Sequence, residues 1–107
     1  MNGQELSQKI ISVVRDFLND QFVQRKVLKT KKELTFSEKQ LKEIVEKIME
    51  YYGINSNNIN IFNDKIEFRF DYDFGTVFGI YHETRYIRLF FEKRNNMLKL
   101  TKIELEK

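Results

Sequence analysis

The sequence has no cysteine, proline, tryptophan or alanine, and only four glycines in 107 residues. Without cysteine there is no disulfide, no thiolate metal site and no cysteine nucleophile. The lone histidine, His82, cannot supply the three nitrogen or sulfur ligands that a zinc site usually needs. Long apolar runs are missing too: no stretch approaches the ~18 residues of a membrane-spanning helix. The first residues, Met-Asn-Gly-Gln-Glu-Leu, lack the basic start and apolar run of a secretory leader. These absences predict a soluble, cytoplasmic protein with no cofactor, no metal and no membrane partner. Alanine, proline and tryptophan need G/C-containing codons, whereas the abundant Lys, Asn, Ile, Phe and Tyr use A/T-rich ones. The composition therefore points to a low-GC bacterium, or to a phage or plasmid gene in such a host, where small proteins of this style are common.

What is present is an excess of rings, with 10 Phe and 5 Tyr. A chain of this length forms one domain, residues 1–107. Its 19 basic and 16 acidic residues leave a net charge of only +3, less lopsided than a dedicated DNA-coating protein. The charge is evenly spread except for one cluster, Arg25, Lys26, Lys29, Lys31 and Lys32.

Apolar periodicity predicts a first helix over about residues 5–28, on the stripe Leu6, Ile10, Val13, Val14 and Phe17. The stripe weakens beyond Asn19, so the alternative is an extended connector over 25–34. The basic cluster then sits near a helix C-terminus, where cations complement the macrodipole. A second helix over 38–52 is better specified. Ser37 and Gln40 have capping-box spacing, Phe36 and Leu41 are placed for a hydrophobic staple, and Gly53 is a left-handed stop. Five strands follow, near 59–62, 65–72, 76–82, 86–93 and 97–105, separated by turns at Asn63-Asp64, Asp73-Phe74-Gly75, Glu83-Thr84 and Asn95-Asn96. The parity change between Leu100 and Ile103 predicts a β-bulge near Thr101-Lys102. The expected fold is α+β: two helices on one face of a four- to five-stranded antiparallel meander.

No residue pattern carries catalysis. His82 lies near Asp71, Asp73 and Glu83, but beside a turn and with no nucleophile to orient. Asp73-Phe74-Gly75 spells the kinase metal-binding tripeptide in a chain without the other kinase motifs, and reads as a turn. Gly75 and Gly79 precede no helix, so they form no phosphate loop, and Gly79 reads as relief of crowding or a point of sheet curvature.

The sheet itself is the candidate site. Ile87, Leu89 and Phe91 share one face of their strand while Tyr86 and Phe90 share the other, and Phe78 and Ile80 oppose Val77 and Tyr81. Two helices cover one face only, so the second apolar face needs a partner. The leading expectation is a non-enzymatic binding or regulatory protein, a homodimer or a binder of another protein, with Phe78, Ile80, Tyr86 and Phe90 at the interface. The alternative is nucleic acid, bound by Arg25, Lys26, Lys29, Lys31 and Lys32 together with Arg69 and Arg88 beside the sheet aromatics. A third reading is a small-ligand pocket or enzyme site between helices and curved sheet, with His82 or Tyr81 at its mouth.

Overall fold

Ser37 starts a helix whose two ends are both closed. In the computed structural model, which describes residues 3–20, 22–30 and 35–107, the Ser37 hydroxyl accepts the Gln40 N–H at 3.2 Å. The Gln40 side chain accepts the Ser37 N–H at 2.9 Å in return. This helix, α2 (Glu38–Tyr52), ends at Gly53 with φ 65°, as expected from the sequence. Buried Ile44 and Ile48 face the core. Tyr52 joins three elements: its hydroxyl donates to the Ile11 carbonyl at 3.3 Å and its ring stacks on Phe70 at 5.1 Å.

The first helix, α1 (Gly3–Asn19), buries Leu6, Ile10, Val14 and Phe17 on one stripe. It does not run to residue 28 as expected. Asp20 Oδ1 accepts the Phe22 N–H at 3.1 Å in an Asx turn. Residues Arg25–Lys29 are instead strand β1. The apolar stripe weakens beyond Asn19, and the edge of the last strand offers this segment a backbone partner. The basic residues 25, 26 and 29 therefore lie on a sheet edge, not at a helix end. Lys31 and Lys32 fall outside the described residues.

The remaining strands are β2 (Thr35–Phe36), β3 (Ile59–Ile61), β4 (Lys65–Thr76), β5 (Gly79–Arg94) and β6 (Met97–Glu106). They form one six-stranded antiparallel sheet in the order β1-β6-β5-β4-β3, with β2 pairing further along β6. The expected meander is present as β3 to β6, and two short strands enlarge the sheet beyond the four or five predicted. The strands expected at 65–72, 76–82 and 86–93 are in fact two long ones. Their register runs unbroken from Lys65↔Phe90 to Thr76↔Gly79. Asp73–Gly75 and Glu83–Thr84 are therefore strand, not turns, and the reversal falls at Val77-Phe78. Thr76 Oγ1 accepts the Phe78 N–H there at 3.1 Å, and Gly79 adopts φ 135°. A Cβ on Gly79 would meet nothing within 4 Å. Backbone conformation, not crowding, is what the glycine provides.

The expected bulge is at Thr101. The β5–β6 register shifts between Phe90↔Lys102 and Phe91↔Leu100, and Thr101 Oγ1 donates to the Phe90 carbonyl at 3.2 Å. The edge of β6 passes from β1 to β2 at the same point. Thr30 donates its N–H to the Thr101 carbonyl at 3.1 Å and its hydroxyl to the Leu100 carbonyl at 2.6 Å.

One parity of β4 and of β5 supplies the core, and β6 changes parity across its bulge to contribute Leu100 on one side of it and Ile103 and Leu105 on the other. Ile66, Phe68, Phe70, Ile87, Leu89, Leu100, Ile103 and Leu105 pack with the buried residues of both helices in a single cluster. Both helices contribute buried residues to this one cluster, and the opposite parity of β4 and β5 stays outside it. Beyond the Phe70↔Arg85 row the β4–β5 hairpin leaves the core. Every described residue from Asp71 to Glu83 is exposed there. This arm gives the molecule its long dimension, 53 × 28 × 22 Å.

Candidate binding surfaces

The open sheet face is organised in cross-strand rows, because paired residues of antiparallel strands share a side. The central row is Asn60, Glu67, Arg88, Glu104 and Val27. Arg88 holds it together. Its Nε donates to Glu67 Oε2 at 2.6 Å, and its Nη1 donates to Glu104 Oε1 at 3.1 Å and to Glu106 Oε2. Arg25 adds a second cation to Glu104 at 3.2 Å. Burial opposes ionisation of Glu67, but hydrogen bonds from Arg88 and Asn60 and the charges of Arg88 and Lys65 outweigh it and lower its pKa below the ordinary 4.5. Burial likewise opposes the Arg88 charge, and Glu106 and Glu67 more than restore it, so its pKa is raised.

One row toward the arm stand Arg69, Tyr86, Glu106 and Arg25. The Arg88 guanidinium lies 4.9 Å from the Tyr86 ring centre, and Arg69 reaches Asn58 Oδ1 at 3.4 Å. One row the other way stand Lys65, Phe90, Lys102 and Lys29. The Phe90 ring lies between two ammonium groups, Lys102 at 4.2 Å and Lys65 at 5.7 Å, and Lys65 is also 4.8 Å from the Phe62 ring.

The arm is a different surface. Val77 is 95%, Phe78 87% and Ile80 71% exposed, and Tyr81 is exposed beside them. On its flank His82 Nδ1 meets Asp73 Oδ1 at 2.5 Å, and Thr84 donates to Asp71 at 3.2 Å. At its root buried Arg85 pairs with Glu83. From Asp71 to Thr84 the chain carries three acids and no Lys or Arg.

A third feature is a groove of about 440 Å³ between α2 and the β3 end of the sheet, lined by Leu41, Val45, Ile61, Phe62, Phe91 and Leu98 among others. Neither Tyr81 nor His82 lines it; the residues expected at the mouth of a helix–sheet pocket sit on the arm instead. No cluster of three or more metal-ligating side chains occurs among the described residues.

The predicted site residues thus divide among several places. Tyr86 and Phe90 share the open face with Arg88, Arg69, Arg25 and Lys29. Phe78 and Ile80 are on the arm. Lys26 pairs with Leu105 at the sheet edge and is exposed. Arg88 and Arg25, expected to meet phosphate, are committed to carboxylates. Lys65, Lys102 and Phe62 escaped sequence reasoning. Their alignment with Phe90 depends on the β4–β5 and β5–β6 registers, and the bulge hides the second of these.

No family model matches the sequence. Among the described residues no helix is long and apolar enough to cross a membrane. Among solved structures, ORF14 from Sulfolobus islandicus filamentous virus aligns over 99% of this chain and 83% of that one, at 17% identity and TM-score 0.46. The chain is 28% identical over 107 residues to Uncharacterized protein 90 of Sulfolobus islandicus rod-shaped virus 1, spanning 100% of this chain and 97% of that protein. The mobile-element character expected from composition thus has a counterpart in a viral protein similar to this chain from end to end.

Proposed function

We propose that this chain is a non-enzymatic binding protein of a virus or other mobile element, that it acts through a protein interface, and that its partner is a second copy of itself. The observation that carries this reading is the arm: a two-stranded ribbon standing clear of the core with Val77, Phe78, Ile80 and Tyr81 in water. An isolated two-stranded ribbon is marginally stable in water and gains stability when a third surface packs on it. Burying each large apolar side chain stabilises by roughly 1.5–3 kcal/mol, so leaving several exposed forgoes a stabilisation comparable to a whole protein's net stability. Exposed apolar residues gathered at a projecting tip mark an interaction site.

Light scattering across a concentration series tests the reading. The wild type is expected to self-associate, and Phe78→Ser with Ile80→Asp to give a folded monomer with unchanged circular dichroism. A wild type that stays monomeric at high micromolar concentration and binds no hydrophobic dye refutes it.

A further inference from the structure

The open face separates its cations into two kinds. Arg88 and Arg25 are held by Glu67, Glu104 and Glu106. In the neighbouring row Lys29, Lys65 and Lys102 have no carboxylate within ion-pairing distance among the described residues. Lys65 and Lys102 lie on rings instead. Crossing the strands from edge to edge, the row reads Lys29, Lys102, Phe90, Lys65, and then Phe62, whose N–H bonds to the Lys65 carbonyl at 2.9 Å. Neighbouring strands are about 4.8 Å apart, so the five residues span about 19 Å. In the adjacent row Glu67 and Glu104 are held by Arg88 and Arg25, and Lys65 acts on Glu67 only through its charge, beyond ion-pairing distance.

We infer that this track is a binding surface for single-stranded nucleic acid. Lysines on flexible stems swing from the rings to backbone phosphates, and the Phe90 and Phe62 faces they leave accept unstacked bases. Cations interleaved with rings along one groove or row are what a single strand needs, and a span near 19 Å suits a short site of about four nucleotides. A duplex keeps its bases stacked and has none to offer these rings. The site lies roughly 36 Å from the arm tip, eleven strand residues away, and does not depend on what the arm binds.

Fluorescence anisotropy with a labelled oligothymidine of about twelve nucleotides tests the inference, with polyphosphate and a duplex of matching length as competitors. Three phosphate contacts predict a slope near −2 in log affinity against log salt, a loss of about twentyfold between about 50 and about 200 mM. Lys65→Glu with Lys102→Glu abolishes binding, whereas Lys47→Glu on the exposed surface of α2 and Phe78→Ser on the arm leave it unchanged. Phe90→Ala weakens binding about fivefold to 150-fold, and Phe90→Tyr restores it. Circular dichroism of each variant reports folding, and Lys102→Gln replaces any double variant that unfolds, with the same direction of effect. The inference is overturned if no oligonucleotide binds at low salt or if Lys47→Glu weakens binding as much as the row variants. It is equally overturned if Phe90→Ala has no effect or if polyphosphate or duplex competes as well as the single strand, since each of these reduces the track to a patch of charge.

Discussion

Replacing Arg88 by methionine isolates the electrostatics of the open face. The guanidinium side chain is 16% exposed and serves Glu67 (17%), Glu104 (10%) and Glu106 (41%). Removing one member of a buried ion pair costs about 3–5 kcal/mol, because a charge is left in a poorly solvated place. Here Glu104 keeps Arg25 at 3.2 Å and Glu106 reaches solvent, so Glu67 bears most of the loss. A destabilisation of about 2–3 kcal/mol near neutral pH follows, below that range because only one of the three acids is stranded. Its pH dependence identifies the cause. In the wild type the Glu67 pKa is lowered from 4.5, so its stabilising contribution is complete above that value and is lost as pH falls through the folded pKa. In Arg88→Met burial acts on Glu67 without the opposing cation, and protonation relieves the penalty. Urea unfolding should therefore show a gap between the two proteins that is widest at neutral pH and closes in acid. A gap under about 0.5 kcal/mol, the scale of an ordinary surface substitution, or one that does not narrow below pH 4.5, would refute the assignment of Arg88 as the organiser of this face.

Two further outcomes follow from local geometry. Ser37→Ala removes the acceptor for the Gln40 N–H and should cost about 0.5–2 kcal/mol in thermal or urea unfolding. Gly79→Ala places a Cβ at φ 135° where no neighbour crowds it; the strain of about 1–3 kcal/mol is then purely conformational. It should appear as faster amide exchange along the arm with the core rows from Ile66 to Phe70 still protected.

The second helix was legible because capping chemistry is local: Ser37, Gln40 and Gly53 act within a few residues of themselves. The bulge was legible for a related reason, since the parity of Leu100 and Ile103 records it directly. For β1 the sequence offered an extended segment over 25–34 as one alternative, but not its place in the sheet. Arg-Lys-Val-Leu-Lys has no clean alternation, and its conformation is decided by the edge of a strand more than seventy residues later. The hairpin turn was misplaced because Asp73 and Gly75 resemble turn residues, while the actual reversal uses Val77 and Phe78, apolar residues that no local rule favours there. The same non-locality hid the lysine row. Phe90 and Arg88 were visible as neighbours of one strand, but Lys65, Lys102 and Lys29 join Phe90 only through three strand registers.

Strand order carries a consequence for how the chain is made. β6 follows every other strand of the sheet along the chain, yet it lies inside the sheet, with β5 on one edge and β1 and β2 on the other. Residues 25–29 leave the ribosome early and have no strand to pair with until residues 102–106 follow. Loop closure over so long a separation is slow relative to local pairing. The helices and the β4–β5 hairpin have their partners close in sequence and are free to organise first, while β1 waits as an unpaired basic segment. A released chain truncated before Met97 should accordingly resist proteolysis in its helices and hairpin but be cut within Arg25–Lys29.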